Sequence, residues 1–135
     1  MNYAALIQNR KSTREYTDKQ VSSSDLEKIR QYHHCAARRL VPELDTALCL
    51  FGTGSREALE GAAGYHNFLV GAPHYLVLMS RKHELAHLNA GFLMQDLLLK
   101  LADIGLDSCW LTFTDSSDVK AALNIENDLD VVAVA

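Results

Sequence analysis

The stretch that decides the fold runs from Glu84 to Ile104 and reads ELAHLNAGFLMQDLLLKLADI. Its polar residues recur at spacings of seven, four and three, which places them on one narrow stripe of an α-helix: Asn89, Asp96, Lys100 and Asp103. Apolar side chains cover most of the remaining circumference. The pattern therefore predicts a long helix that is buried on nearly all sides, either by its own domain or by a second subunit.

Shorter elements are predicted on both sides of this helix. Ser24 and Glu27 have the spacing of a capping box, which predicts a second helix start at Ser24. The other predicted helices are Tyr3–Gln8, a brief one from Ser55 to Ala62, and one that Asp115 or Ser116 caps and that ends near Leu123. The predicted strands are Thr46–Phe51, His74–Met79, Ser108–Phe113 and Leu129–Ala135. The first of these strands is expected to be buried.

The bulk properties bound the kind of protein. A chain of 135 residues has room for one domain with one core, so we expect residues 1–135 to form a single domain. A net charge of -4 offers nucleic acid no attractive field. No apolar run reaches the roughly 18 residues of a membrane-spanning helix, and no signal peptide is evident. We therefore expect a cytoplasmic protein. Because the last predicted strand reaches the end of the chain, we also expect the domain to be C-terminally truncated.

The densest group of cations is the run Arg10-Lys11-Ser12-Thr13-Arg14, which follows the first predicted helix. Arginine can grip phosphate oxygens through two parallel N–H bonds, and a serine hydroxyl adds a neutral donor. Composition alone leaves two interpretations of this run, a phosphate clamp and a solvated surface turn.

In its wider context the run resembles the opening signature of the nitroreductase family, R-R-S-x-R-x-[FY]. The similarity continues at Ala72-Pro73 before a strand, and along the central helix at residues 89–99 into the segment 105–111. Residues 123–125 and 130–135 resemble the last core strand of that family. These matches occur in order and span most of the chain, so the sequence resembles the FMN-dependent nitroreductases as a whole.

The resemblance implies an α+β fold, with a central mixed or antiparallel sheet of about four strands, flanking helices and a long buried central helix. It also implies a homodimer with FMN at the interface. The implied activity passes hydride from NAD(P)H through FMN to a nitroaromatic, a quinone or a similar acceptor, and no side chain is required as acid or base. The implied cofactor-binding residues form two groups: Arg10, Lys11, Ser12 and Arg14 for the phosphate and ribityl chain, and Trp110, Leu111, Thr112 and Phe113 against the isoalloxazine.

Two features of the sequence leave alternatives open within this family. Thr112-Phe113 stands where family members usually carry a glycine-containing turn, which leaves open a noncatalytic or degenerate flavin-binding protein. Tyr65-His66-Asn67-Phe68 lies between two glycines. This segment either lines a substrate or flavin pocket or is an ordinary loop packed on the core.

A competing motif is His83-Glu84-Leu85-Ala86-His87, a complete H-E-x-x-H. On a helix its two histidines would share a face and could bind zinc, with Glu84 as the general base of a metallopeptidase. Zinc needs a third protein ligand, and the extension H-x-x-G-x-x-H fails because Leu93 occupies the required position. The alternative interpretation is an exposed helix start with no metal.

Overall fold

The computed structural model describes residues 1–65 and 68–135, so His66 and Asn67 of the predicted loop lie outside the described residues. The helices are α1 Tyr3–Asn9, α2 Ser23–Cys35, α3 Arg56–Leu59, α4 Ala86–Asp103 and α5 Ser116–Leu123. The strands are β1 Thr46–Phe51, β2 Ala63–Gly64, β3 Tyr75–Ser80, β4 Thr112–Phe113 and β5 Asp130–Val134. No helix of the described residues is long and apolar enough to span a membrane.

The strands form two antiparallel sheets, and the predicted α+β class is confirmed. The larger sheet has the order β1-β3-β5, and β2 pairs with β4 in the smaller one. Strand β3 lies in the centre and is buried at each of its residues, whereas β1 is half-buried along its length. The expectation that β1 is buried was therefore wrong, because it occupies an edge of the sheet.

The core lies on both faces of the larger sheet. Successive side chains of a strand point to opposite faces, so β3 serves two clusters. Tyr75, Val77 and Met79 pack in the cluster that also contains Val119 of α5. Leu76 and Leu78 pack against the apolar face of α4. Helix α4 is thus buried by its own domain along most of its length.

Helix α4 begins two residues later than predicted, and Asn89 and Asp96 of its polar stripe are buried, whereas Asp103 is exposed. The backbone N–H of Val41 donates to Asn89 Oδ1 (2.9 Å). The carboxylate of Asp96 accepts from the hydroxyls of Tyr3 (3.1 Å) and Tyr32 (2.8 Å) and from the backbone N–H of Arg38 (3.0 Å). The N-terminal part of the chain therefore covers the stripe at Asn89 and Asp96. The exposed large apolar side chains of the helix region are Leu85, Leu88 and Phe92.

The helix caps correct one prediction and confirm another. Helix α2 is capped by Ser22, not Ser24: the N–H of Asp25 donates to Ser22 Oγ (3.1 Å), and that hydroxyl donates to Asp25 Oδ2 (2.8 Å). Three successive serines offer equivalent caps, and the structure selects the first. Asp115 caps α5 as predicted, since its carboxylate accepts from the Asp118 N–H (2.9 Å).

The predicted third strand is much shorter than Ser108–Phe113. Only Thr112 and Phe113 belong to a ladder, opposite Gly64 and Ala63. Upstream of them the chain makes two isolated bridges, from Ser108 to Ser12 and from Leu111 to Val134. The segment changes partners twice within a few residues, so no continuous strand forms.

Candidate cofactor-binding site

The cationic run lies directly after α1 and pairs with the segment that follows α4. Arg10 closes α1, with its N–H donating to the Leu6 carbonyl (2.8 Å), and its backbone is extended. Ser12 forms a parallel bridge with Ser108. The Thr13 N–H then donates to the Ser108 carbonyl (3.1 Å). Hydrogen bonds of the backbone thus fix the run beside the start of the segment 108–113.

The second predicted group is held by the sheets. The Leu111 N–H donates to the Val134 carbonyl of β5 (3.0 Å). Thr112 pairs with Gly64, and its hydroxyl donates to the Gly64 carbonyl (2.9 Å). The structure therefore brings both predicted groups together, because the cationic run pairs with Ser108 and the second group follows Ser108 in the chain.

Unpaired donors mark the cationic run. Nε and Nη2 of Arg10 are buried and have no hydrogen-bond partner among the described residues, and the same holds for Thr13 Oγ1. Buried polar groups without a partner cost free energy, and a bound anion would provide acceptors for them. A phosphate group fits this donor set. Sequence reasoning did not select Thr13, because the family signature R-R-S-x-R leaves its position unspecified.

The run is also electrostatically uncompensated. Within residues 1–65 and 68–135, no ion pair involves Arg10, Lys11 or Arg14. Lys11 is exposed and lines, with Arg10, a cavity of about 240 Å³ that also borders Asp107. Arg14 is exposed, and its guanidinium lies 4.2 Å from the centroid of the Tyr65 ring. No carboxylate of the described residues neutralises these three cations in an ion pair, which favours binding of an anion.

Tyr16 follows the run and stays protonated at neutral pH. Burial, with smaller contributions from Cys109 and Asp107, raises the pKa of Tyr16 to about 12 against the opposing effect of Arg10. Its phenol therefore adds no negative charge beside Arg10.

The side chains of the second group are mostly engaged by the protein. Trp110 Nε1 donates to Gln95 Oε1 of α4 (3.0 Å), and the Leu111 side chain is buried in the core. Phe113 is half-buried against the same core cluster. Thr112 is exposed. A ligand at this segment would contact its backbone and Thr112, and the Leu111 side chain is unavailable to it.

The residues of the H-E-x-x-H motif do not have the geometry that a zinc site needs. His83, Glu84 and Leu85 precede α4, which begins at Ala86. His83 Nδ1 instead accepts the Leu85 N–H (3.0 Å), and both histidines are exposed. The described residues contain no group of three side chains that could hold a metal ion. His83 lies before α4 and His87 lies within it, so the two histidines do not share one face of a helix.

A larger cavity of about 430 Å³ lies between the chain segment 16–22 and the larger sheet. It borders Ser108 and Leu111, but none of the residues 10–14. His74 lines it, with Nε2 accepting the Val21 N–H (3.1 Å), and burial lowers the pKa of this histidine. Nε2 of this ring is therefore already paired. Among the described residues, buried side-chain donors without a partner occur at Arg10, Thr13, Arg56 and Asn89, and none of these residues lines the larger cavity. Two of the four lie in the cationic run, so the candidate phosphate site is assigned to the run.

Comparison with known proteins gives a consistent result. A family described as "Putative TM nitroreductase" matches residues 2–135. The fold is similar to that of a nitroreductase family protein from Clostridium novyi NT, with a TM-score of 0.82 and 18% identity over 99% of this chain and 82% of that chain. It is similar to an FMN-dependent nitroreductase from Clostridium difficile R20291, with a TM-score of 0.79 and 18% identity over 97% of this chain and 83% of that one.

A third similar structure is a "putative nitroreductase in complex with fmn" from Desulfovibrio desulfuricans. Its TM-score is 0.81 and its identity 21%, over 99% of this chain and 83% of that chain. No curated protein sequence is similar enough to the chain to count as a match.

Proposed function

This chain belongs to the nitroreductase family, and from that membership we propose that it is an FMN-dependent oxidoreductase that takes hydride from NADH or NADPH. Its acceptor is proposed to be a nitroaromatic, a quinone or a similar small molecule. The observation that carries the proposal is the buried guanidinium edge of Arg10, which has no partner among the described residues and lines the same cavity as Ser108. Support for FMN comes from the similar structures that bind or depend on it.

The two groups of residues bind different parts of FMN. Arg10, Lys11, Ser12 and Arg14 hold the phosphate and ribityl chain, and Thr13 adds a hydroxyl whose oxygen has no partner among the described residues. The backbone of residues 110–113 and the exposed side chain of Thr112 face the ring. When bound, FMN accepts a hydride and passes it to the acceptor, and the protein orients it. No side chain of the site is assigned a proton transfer.

FMN binding is tested by titrating the purified chain with FMN and following the quenching of flavin fluorescence. We expect saturable binding with one FMN per chain. Riboflavin has the same ring without the phosphate and should bind more weakly, because Arg10 then has no anion to pair with. A chain that binds neither compound, or binds them equally, would contradict the proposed phosphate site.

Hydride transfer is tested on the FMN-loaded chain under anaerobic conditions. Addition of NADH or NADPH should bleach the visible absorbance of the bound flavin, and a quinone or nitroaromatic should restore it. Binding of FMN without bleaching by either nucleotide would point to the noncatalytic flavin-binding alternative, which the replacement of a glycine turn by Thr112-Phe113 leaves open.

We also propose that the chain forms a homodimer through α4, with FMN at the interface. Leu88 is 63% exposed and Phe92 38% exposed, and both belong to the same helix face as Leu85. A second copy that packs on this face would remove these exposed apolar side chains from water. The spacing of three, four and seven residues is that of a helix which packs against another helix.

A further inference from the structure

We propose that Tyr65 is a positioning residue for flavin binding, whose ring holds the guanidinium of Arg14 in the orientation that contacts the cofactor. The inference rests on the proposed function, because it presupposes that Arg14 binds FMN. The Arg14 guanidinium carbon lies 4.2 Å from the Tyr65 ring centroid, which is the distance of a cation–π contact.

The ring is attached to a fixed stretch of backbone. Gly64, the preceding residue, pairs with Thr112 of β4. The Tyr65 N–H donates to the Phe68 carbonyl (2.7 Å), and the Phe68 N–H donates to the Tyr65 carbonyl (3.0 Å). A Cβ atom at position 64 would lie 2.5 Å from the Phe68 carbonyl oxygen, so the chain can return this closely only past glycine. Tyr65 is therefore held beside the segment that is proposed to face the isoalloxazine.

Arg38 makes a similar cation–π contact and allows a comparison with Arg14. The Arg38 guanidinium lies 4.1 Å from the Tyr3 ring centroid, but its Nη2 is also paired with the Asp96 carboxylate at 3.3 Å. The Arg38 guanidinium is therefore already paired within the protein. Arg14 has the same stacking and no hydrogen bond or ion pair within residues 1–65 and 68–135. Stacking uses the face of the guanidinium and leaves the in-plane N–H donors free for an anion or a carbonyl.

Preorganisation gives this contact a measurable effect. A long side chain loses rotamer freedom when it binds a ligand, and a side chain already held by an aromatic ring loses less. An exposed cation–π contact corresponds to roughly a two- to fivefold change in an equilibrium constant. We expect the loss of the Tyr65 ring to weaken FMN binding by this factor, and only while Arg14 is present.

The test is a double-mutant cycle in the full chain, read out as FMN affinity by fluorescence quenching. Tyr65→Leu should weaken FMN about two- to fivefold, and Tyr65→Phe, which keeps the ring, should bind like the parent. In the Arg14→Ala background, Tyr65→Leu should have no further effect. Arg30→Ala serves as the matched control, since Arg30 lies on α2 and contacts Glu27 at 3.8 Å.

The outcomes separate this inference from the proposed function. An equal loss on Tyr65→Leu with and without Arg14, or no loss in either background, overturns the positioning role. If FMN binding depends on Arg14 but not on Tyr65, the proposed function stands and the inference fails. If the parent chain binds no FMN, both fail. Should Tyr65→Leu not fold by circular dichroism, Tyr65→Gln is the replacement, with the same expectations.

Discussion

Arg39 and Arg10 differ in whether their guanidinium groups have hydrogen-bond partners, and this difference points to function. The guanidinium of Arg39 donates to the carbonyls of Ala37 (2.9 Å) and His33 (2.6 Å), so its role is structural. Arg10 keeps two buried nitrogens without a partner among the described residues. Folding brings a desolvated cation to this place without supplying an acceptor, which is a cost that a bound phosphate would offset.

Replacement of Arg10 by alanine should weaken FMN about ten- to a hundredfold, because a charge-assisted hydrogen bond typically contributes roughly 1.5–3 kcal/mol. Riboflavin affinity should barely change, since riboflavin lacks the phosphate. The measurement is a parallel titration of both flavins against Arg10→Ala and the control Arg30→Ala. An equal loss for both flavins would mean that Arg10 supports the fold or the ring and does not bind the phosphate.

Asp96 is a buried carboxylate whose charge contributes to stability. Burial alone would raise the pKa of its carboxyl, but the hydrogen bonds from Arg38, Tyr32 and Tyr3 outweigh burial, and the net pKa lies below its usual value. A carboxyl whose pKa is lower in the folded state stabilises the protein above its unfolded pKa of about 4. That contribution disappears as the pH falls through the folded-state pKa.

The variant Asp96→Asn should therefore lower the free energy of unfolding by about 2 kcal/mol at pH 7, because a buried, charge-assisted acceptor becomes a neutral amide. The difference from the parent should shrink at pH values below about 4. Urea unfolding at both pH values measures it. Asp103→Asn is the control on the same helix: its partner Lys100 lies at 2.8 Å on the surface, and such pairs contribute at most about 1 kcal/mol. A loss at pH 7 that equals the control would contradict the role of Asp96.

At the scale of elements, the sequence predicted features that depend on neighbouring residues and missed those that depend on distant ones. Asp115 caps α5 as predicted, because its side chain bonds within its own turn. The third strand was predicted too long, because the pairing of residues 108–111 depends on Ser12 and Val134, which are distant in sequence. The run 10–14 was selected from its composition and the family resemblance. The unpaired atoms of Arg10 and Thr13, and the stacking of Arg14 on Tyr65, are tertiary features without a local signature.

The start of α4 carries an element-scale prediction about the H-E-x-x-H motif. His87→Ala should change the free energy of unfolding by no more than about 0.5 kcal/mol, as for other exposed sites. His83→Ala should cost about 0.5–1 kcal/mol, because His83 Nδ1 accepts the Leu85 N–H at the helix start. Metal content, measured by elemental analysis, should not differ between the parent and the double variant. A stoichiometric metal that both replacements remove would revive the metallopeptidase hypothesis.

At the scale of the whole molecule, α4 has one part of its surface packed within its own chain and another part exposed. Asn89 and Asp96 of its polar stripe are covered by residues of the N-terminal part of the same chain. Its apolar residues Leu93, Leu97 and Leu101 pack in the cluster under the larger sheet. Leu88 and Phe92 of the helix and Leu85 just before it remain exposed apolar side chains. The sequence predicted a helix buried on nearly all sides. One chain covers most of that surface, and a second copy is proposed to cover the remainder.

Replacement of Leu88 by glutamate should therefore disrupt the dimer, because it places a charge at the centre of the apolar face, where burial of an unpaired carboxylate is strongly unfavourable. Light scattering at micromolar concentration should give the parent chain twice the 15.0 kDa of one protomer and Leu88→Glu the mass of one. Ala121→Glu adds the same charge at an exposed position of α5 and should leave the parent mass unchanged. Because FMN is proposed to lie at the interface, Leu88→Glu should also weaken FMN, whereas Ala121→Glu should not. A parent chain that is monomeric at this concentration would contradict the dimer, and unchanged FMN affinity in a monomeric Leu88→Glu variant would place the flavin site within one chain.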